Sequence, residues 1–271
     1  MRQFLVVIFV IICALSSSCK DHLPGFDFTS FANTPVEKLA EVVKKEDLRA
    51  IEELVINDNL PVDYFDPEYG HTLLMLSVTN DLENSTQKLL ELGADPNLRS
   101  KIQEGTDSSY VDTPVLIAVD NSINRKCDTK ILELLIKYKG DINDKIPVQF
   151  IGANYKSIRT PLMEASKGDC LSVIKLLLES GAKLNDYDYS QGHGPLSYAI
   201  IHDQMRVLRC FIIDRKATIP PYVYVRQAYK ENPRQELTLT EFLNEKEYST
   251  SSEEFRMREE ILNYLRNHDL Q

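Results

Sequence analysis

One phrase returns along this chain of 271 residues, and internal repetition constrains an architecture before any local propensity does. A Thr-Pro-Leu-like helix start is followed by two short apolar runs and a Gly-Ala-Asp-x-Asn-like turn. It reads Thr72-Leu73-Leu74 to Gly93-Ala94-Asp95-Pro96-Asn97, then Thr113-Pro114-Val115 to Gly140-Asp141-Ile142-Asn143. It returns as Thr160-Pro161-Leu162 to Gly181-Ala182-Lys183-Leu184-Asn185. The turn asparagines Asn97, Asn143 and Asn185 lie 46 and 42 residues apart, while Thr72 to Asn97 and Thr160 to Asn185 both span 25. Degenerate copies flank the clear ones, at Asn59-Leu60-Pro61-Val62-Asp63 and at Ala217-Thr218-Ile219-Pro220.

The residue types suit a pair of short helices. Pro114, Pro161 and Pro195 fall in a first helical turn, where the missing N–H costs nothing and φ is already set. Val173, Ile174, Leu176 and Leu177 give the second helix an apolar stripe. Gly93 and Gly181 follow that helix, where a left-handed cap favours glycine. In the third copy the glycine falls one position late, at Gly140, beside five extra residues between the helices.

On these residues the chain resembles the ankyrin repeat family, whose unit of about 33 residues is a β-turn plus two helices. The resemblance covers roughly residues 35–220 and is strongest in TPLMEASKGDCLSVIKLLLESGAKLN. The histidine that the family carries after Thr-Pro-Leu is replaced by Met75, Leu116, Met163 and Ser197. The resemblance implies an all-α solenoid of about five repeats, with long β-hairpin or loop fingers, over residues 34–220. Residues 221–271 abandon the repeat and read as a helical C-terminal cap, since a solenoid needs terminal units with a polar face. Within the cap, Ser251-Ser252-Glu253-Glu254 has the form of a capping box, opening a helix with Phe255, Ile261, Leu262 and Leu265 inward.

The first residues carry a different signal. Met1-Arg2 precedes twelve apolar residues from Phe4 to Leu15, then Ser16-Ser17-Ser18-Cys19. That apolar run is shorter than the roughly 20 residues that span a bilayer, and its flanks are those of a secretory signal. Leu15 to Cys19 resembles a bacterial lipobox. The resemblance implies a signal peptide over 1–18, acylation of Cys19 as the membrane anchor, and a tether over 19–33. Lys20 after that cysteine leans the expectation towards the outer membrane, facing the periplasm or the cell surface. No later run reaches membrane-spanning length.

A formal charge of −10 at pH 7 argues against nucleic acid, which attracts basic stripes. It favours a partner with a basic surface. Outside the signal, Cys127, Cys170 and Cys210 remain. Cys127 and Cys170 open second helices of adjacent repeats and lie within conceivable reach, but buried or unpaired thiols are the expectation. No Cys/His spacing suits a metal, and no cofactor or small-molecule substrate is expected. There is no Gly-x-Ser-x-Gly, phosphate loop or His-Glu-x-x-His. His71 and His193 precede helix starts at exposed positions, so the chain reads as no enzyme.

The connections Asn97–Thr113 and Asn143–Thr160 are about eight residues longer than the family turn, and loops are where binding residues concentrate. The fingers carry Tyr64, Phe65 and Tyr69, then Tyr110, Phe150 and Tyr155, Tyr187 and Tyr189, and Tyr222 and Tyr224. Tyrosine is enriched among interface hot spots, so Tyr69, Tyr110, Phe150, Tyr155, Tyr187 and Tyr189 are the candidate partner-binding row. Acidic residues interleave with them. The function expected is membrane-tethered protein binding in the cell envelope, as an immunity protein neutralising a secreted antibacterial toxin such as a lipase. The alternative is a lipoprotein that scaffolds an envelope enzyme or complex.

Overall fold

In the computed structural model, which describes residues 27–101, 111–149, 156–186, 194–226 and 233–270, the repeated threonines open helices. Thr72 caps α3 (Leu73–Thr79), Thr113 precedes α5 (Pro114–Asn124), and Thr160 caps α7 (Pro161–Ala165). Each hydroxyl accepts the amide three residues on, Met75, Leu116 or Met163, at 3.3 Å. A cap of this kind contributes about 1 kcal/mol. In the next copy the cap residue is Gly194, before α9 (Pro195–Ile201), and no side chain caps that helix. The four residues that replace the family histidine are all buried. Met75, Leu116 and Met163 fill the space with hydrocarbon, and Ser197 leaves its hydroxyl without a hydrogen-bond partner.

The chain forms two compact units, Met1–Ile117 and Ala118–Gln271, with α5 crossing the division. In the first, a 3-10 turn (Phe28–Phe31) precedes α1 (Glu37–Lys44) and α2 (Leu48–Ile56), then α3 and α4 (Glu83–Glu91). Within each pair the helices pack on one another; between pairs, α1 meets α3 and α2 meets α4. Leu39, Val43, Ile51, Leu74, Val78 and Leu89 are wholly buried there, each contributing about 1.5–3 kcal/mol. The second unit repeats the arrangement. It holds α6 (Lys130–Lys137), then α7 with α8 (Leu171–Glu179), and α9 with α10 (Met205–Arg209). Again α7 meets α9 and α8 meets α10. The described chain is thus mostly helical, as an all-α repeat fold requires.

The ends of the second helices are built alike. Gly93 and Gly181 take φ of +93° and +97°, and the next amides, Ala94 and Ala182, reach back to Leu89 and Leu177 at 3.0 and 2.9 Å. In the third copy the left-handed position is held by Lys139, at φ +67°, and Gly140 supplies the amide that returns to Leu135 at 2.8 Å. The displaced glycine therefore leaves a lysine in a conformation that costs about 1 kcal/mol. After α10 the chain widens into a π-helix (Cys210–Asp214) before Lys216 takes the left-handed position at φ +51°.

The turn asparagine has a physical task. Asn143 accepts the Lys183 amide at 2.8 Å, and Asn185 accepts the Thr218 amide at 3.0 Å, each tying its turn to the next. Asp63 stands at the matching place and accepts the Asp95 amide at 3.1 Å. Burial pushes the Asp63 carboxyl up, the Asp95 amide opposes that, and the Asp95 charge adds to it. A raised folded-state pKa means stability that is present at acid pH and lost as pH rises through the carboxylate range. Asp63→Asn keeps the acceptor and removes the charge. It should raise the melting temperature at pH 7, by the equivalent of roughly 0.5 kcal/mol for a half-exposed group, and the gain should vanish near pH 3. Circular-dichroism melts at both pH values check this.

Two antiparallel ribbons interrupt the helices. β1 (Ile146–Gln149) pairs with β2 (Lys156–Arg159), Ile146 opposite Arg159, within the third finger. β3 (Tyr224–Arg226) pairs with β4 (Gln235–Leu237), ahead of α11 (Leu239–Glu245) and α12 (Glu253–Asn267). The predicted capping box is corrected by one residue: Ser252, not Ser251, caps α12, through the Phe255 amide at 3.1 Å. Phe255 is half-buried, and Met257 joins Ile261, Leu262 and Leu265 in the buried face. The reciprocal box forms instead at α11, where Thr238 accepts from Glu241 and Glu241 accepts from Thr238.

The cysteine expectation is also overturned. Cys127 and Cys170 form a disulfide with Cα atoms 5.4 Å apart, while Cys210 is a buried free thiol. The five extra residues between α5 and α6 bring Cys127 round at φ +59°, next to Lys126 at +54°. Cys170 opens α8 with its sulfur 3.9 Å from the carbonyls of Ser122 and Ile123. A Cβ at Gly168 would stand 2.9 Å from that of Ile123, so the absence of a side chain there permits the approach.

Candidate protein-interaction surface

The first finger is organised by one buried carboxylate. Asp66 is 3% exposed and accepts three backbone amides: Glu68 at 2.9 Å, Tyr69 at 2.6 Å and His71 at 2.7 Å. Its own amide donates to the His71 carbonyl at 2.8 Å, so residues 66–71 close into a tight loop beside the Phe65–Thr72 bridge. Gly70 sits at φ +67°, where a Cβ would lie 2.5 Å from the Lys101 carbonyl oxygen. The Lys101 amide donates to the Gly70 carbonyl at 3.0 Å, and its ammonium lies 4.0 Å from the Phe65 ring centre. The base of the following finger is closed by Ser100 and Asp112: the Ser100 amide donates to the Asp112 carbonyl at 2.8 Å, and the Asp112 amide donates to the Ser100 hydroxyl at 2.9 Å.

On this frame Tyr69 is half-buried, with its ring 6.3 Å from that of His71 and its hydroxyl donating to Glu68 Oε1 at 2.7 Å. The hydrogen bond to Glu68 pushes the phenol up, helped by burial and by the charges of Glu68, Asp27 and Asp66. The phenol therefore stays a neutral donor at physiological pH. Of the predicted row, Tyr69 alone falls in the described chain. Tyr110, Phe150, Tyr155, Tyr187 and Tyr189 lie outside the described residues, as do Cys19, the whole signal segment and His193. Tyr224 packs on Phe242 of α11, ring centres 5.6 Å apart.

The second unit holds a cluster that the sequence reading passed over. Glu164, within α7, is 4% exposed. Lys167 donates to its Oε1 at 2.6 Å, and the Arg159 guanidinium at the end of β2 lies 3.6 Å from its Oε2. The Lys167 ammonium also faces the Tyr198 ring of α9 at 5.6 Å, and Tyr198 lies along His202 with ring centres 6.3 Å apart. Burial and then the Lys167 charge hold the His202 imidazole below its usual range, against the pull of Glu164. His202 and Ile201 are exposed beside it. The signal for this cluster was a glutamate inside the apolar run Pro161-Leu162-Met163-Glu164-Ala165.

Among the described residues no group of His, Cys, Asp or Glu is arranged to hold a metal. No described helix is long and apolar enough to cross a membrane.

Helix pairs stacked in register within each unit are the arrangement of a helical repeat protein. The ankyrin repeat family matches residues 158–189, the copy containing Glu164 and Cys170. The chain is also 33% identical over 140 residues, 52% of its length, to a mitochondrial disaggregase of Bos taurus. It covers 18% of that protein. The family match supports reading the repeated helix pairs as ankyrin repeats, a type of unit associated with protein–protein interaction.

Proposed function

We propose that this protein is a lipid-anchored ankyrin-repeat protein of the bacterial envelope that binds and neutralises another protein, as an immunity protein against a secreted antibacterial toxin such as a lipase. In this reading the helix pairs are ankyrin repeats, about five in number. The row from Tyr69 to Tyr189 meets the partner, and Cys19 holds the inhibitor where the toxin arrives. The observation that carries the reading is the Cys127–Cys170 disulfide inside the repeats. Disulfides persist in oxidising compartments and are rare in the cytosol, which agrees with the lipobox-like residues Leu15 to Cys19. The charge of −10 supports a basic surface on the partner. The likeness to a disaggregase covers too little of that protein to bring its activity here, and no enzymatic role is proposed.

The test begins with the soluble form, residues 20–271, used to capture a partner from the producing cells, followed by an assay of that partner's own activity. Stoichiometric capture with inhibition supports immunity; capture with unchanged activity supports scaffolding instead. Tyr69→Ala should weaken capture about ten-fold or more, as hot-spot tyrosines do, with unchanged helical content. Equal capture by the variant would overturn the assignment of the first finger.

A further inference from the structure

We propose that Glu164 is a positioning residue, a buried carboxylate that sets the direction in which the β1–β2 finger leaves α7 and so determines which partner the finger fits. This rests on the reading that the fingers meet the partner. Glu164 lies between Met163 and Ala165, both wholly buried, at a place where the helix presents its apolar stripe. A buried carboxylate in such a place is expensive unless well paired. Its pairing is uneven. Oε1 has the Lys167 ammonium at 2.6 Å, but Oε2 has no hydrogen bond and meets Arg159 only at 3.6 Å.

What the carboxylate does achieve is connection. Arg159 is the last residue of β2, opposite the wholly buried Ile146, and directly precedes the cap Thr160. It therefore stands at the joint between finger and helix. Lys167 follows the other end of α7 and reaches the Tyr198 ring on α9. One side chain thus ties the finger, its own helix and the face of the next pair. Buried ionic groups of this sort are often neutral or unfavourable for stability, and their best-attested use is to select one arrangement among several.

The measurement compares thermal melting with backbone amide exchange of β2 in the wild type, Glu164→Leu and Glu164→Gln, using α8 amides as the internal reference. In Glu164→Leu, which leaves Arg159 and Lys167 without their carboxylate and so lowers the melting temperature, β2 amides should exchange about ten-fold faster while α8 amides do not change. Glu164→Gln, which keeps an acceptor without the charge, should fall between. Exchange of β2 within about two-fold of wild type, or acceleration of β2 and α8 by the same factor, would overturn the proposal. No partner enters this experiment, so its failure leaves the binding reading standing. Loss of that reading likewise leaves the finger geometry to be judged here.

Discussion

Cys127→Ser should lower the unfolding free energy by about 4 kcal/mol, the loop-closure value for a bridge between residues 43 apart in sequence. That is a large part of the 5–15 kcal/mol that a domain usually possesses, and strain in the native arrangement offsets part of it. The disulfide holds Lys126 and Cys127 in consecutive left-handed conformations, each of which costs about 1–2 kcal/mol without glycine. It also seats Cys170 over the carbonyls of Ser122 and Ile123. Urea unfolding followed by circular dichroism checks this. Reduced wild type and Cys127→Ser should share one lowered midpoint, and Cys210→Ser should keep the bridge and its dependence on reductant. A midpoint indifferent to reductant would show that the bridge contributes nothing.

Asp66→Ala should cost about 3 kcal/mol, because three amides in a closed loop lose one charged acceptor together and hydrogen bonds to charged groups are the stronger ones. The effect should be local. Amide exchange of Glu68, Tyr69 and His71 should rise by orders of magnitude, while that of α3 changes little. Partner capture should fall with it, since Tyr69 takes its place from the loop that Asp66 closes. Tyr69→Ala offers the contrast: binding lost, loop intact. If Asp66→Ala bound as well as wild type, the first finger would have no part in recognition.

The regular half of the fold was legible because each sign in it has a local cause. Threonine at 72, 113 and 160 means a hydroxyl placed for the third amide onward. Proline at 114, 161 and 195 means a first turn, and glycine at 93 and 181 means a left-handed exit. The turn asparagine, regular in its spacing, is the group that joins one turn to the next, Asn143 to Lys183 and Asn185 to Thr218.

What escaped was decided across the sequence rather than along it. The Cys127–Cys170 bridge depends on how a five-residue insertion turns back, and spacing cannot report that. Glu164 was one polar letter in an apolar run, and its meaning lies in Arg159 and Lys167 on either side of its helix. In the sequence Asp66 is one more acid among the aromatics. Its role follows from three amide contacts that form only when the loop closes.

The proposed export and anchoring are the steps on which the account depends, since they would fix the compartment, the oxidised bridge and the kind of partner that can arrive. The intact mass of the protein recovered from the membrane fraction tests them most directly. The account predicts a chain beginning at Cys19, carrying acyl chains, lighter by two hydrogens for the Cys127–Cys170 bridge, and released from the membrane by Cys19→Ser. A chain that retains Met1, carries no lipid and has Cys127 and Cys170 as free thiols would contradict it.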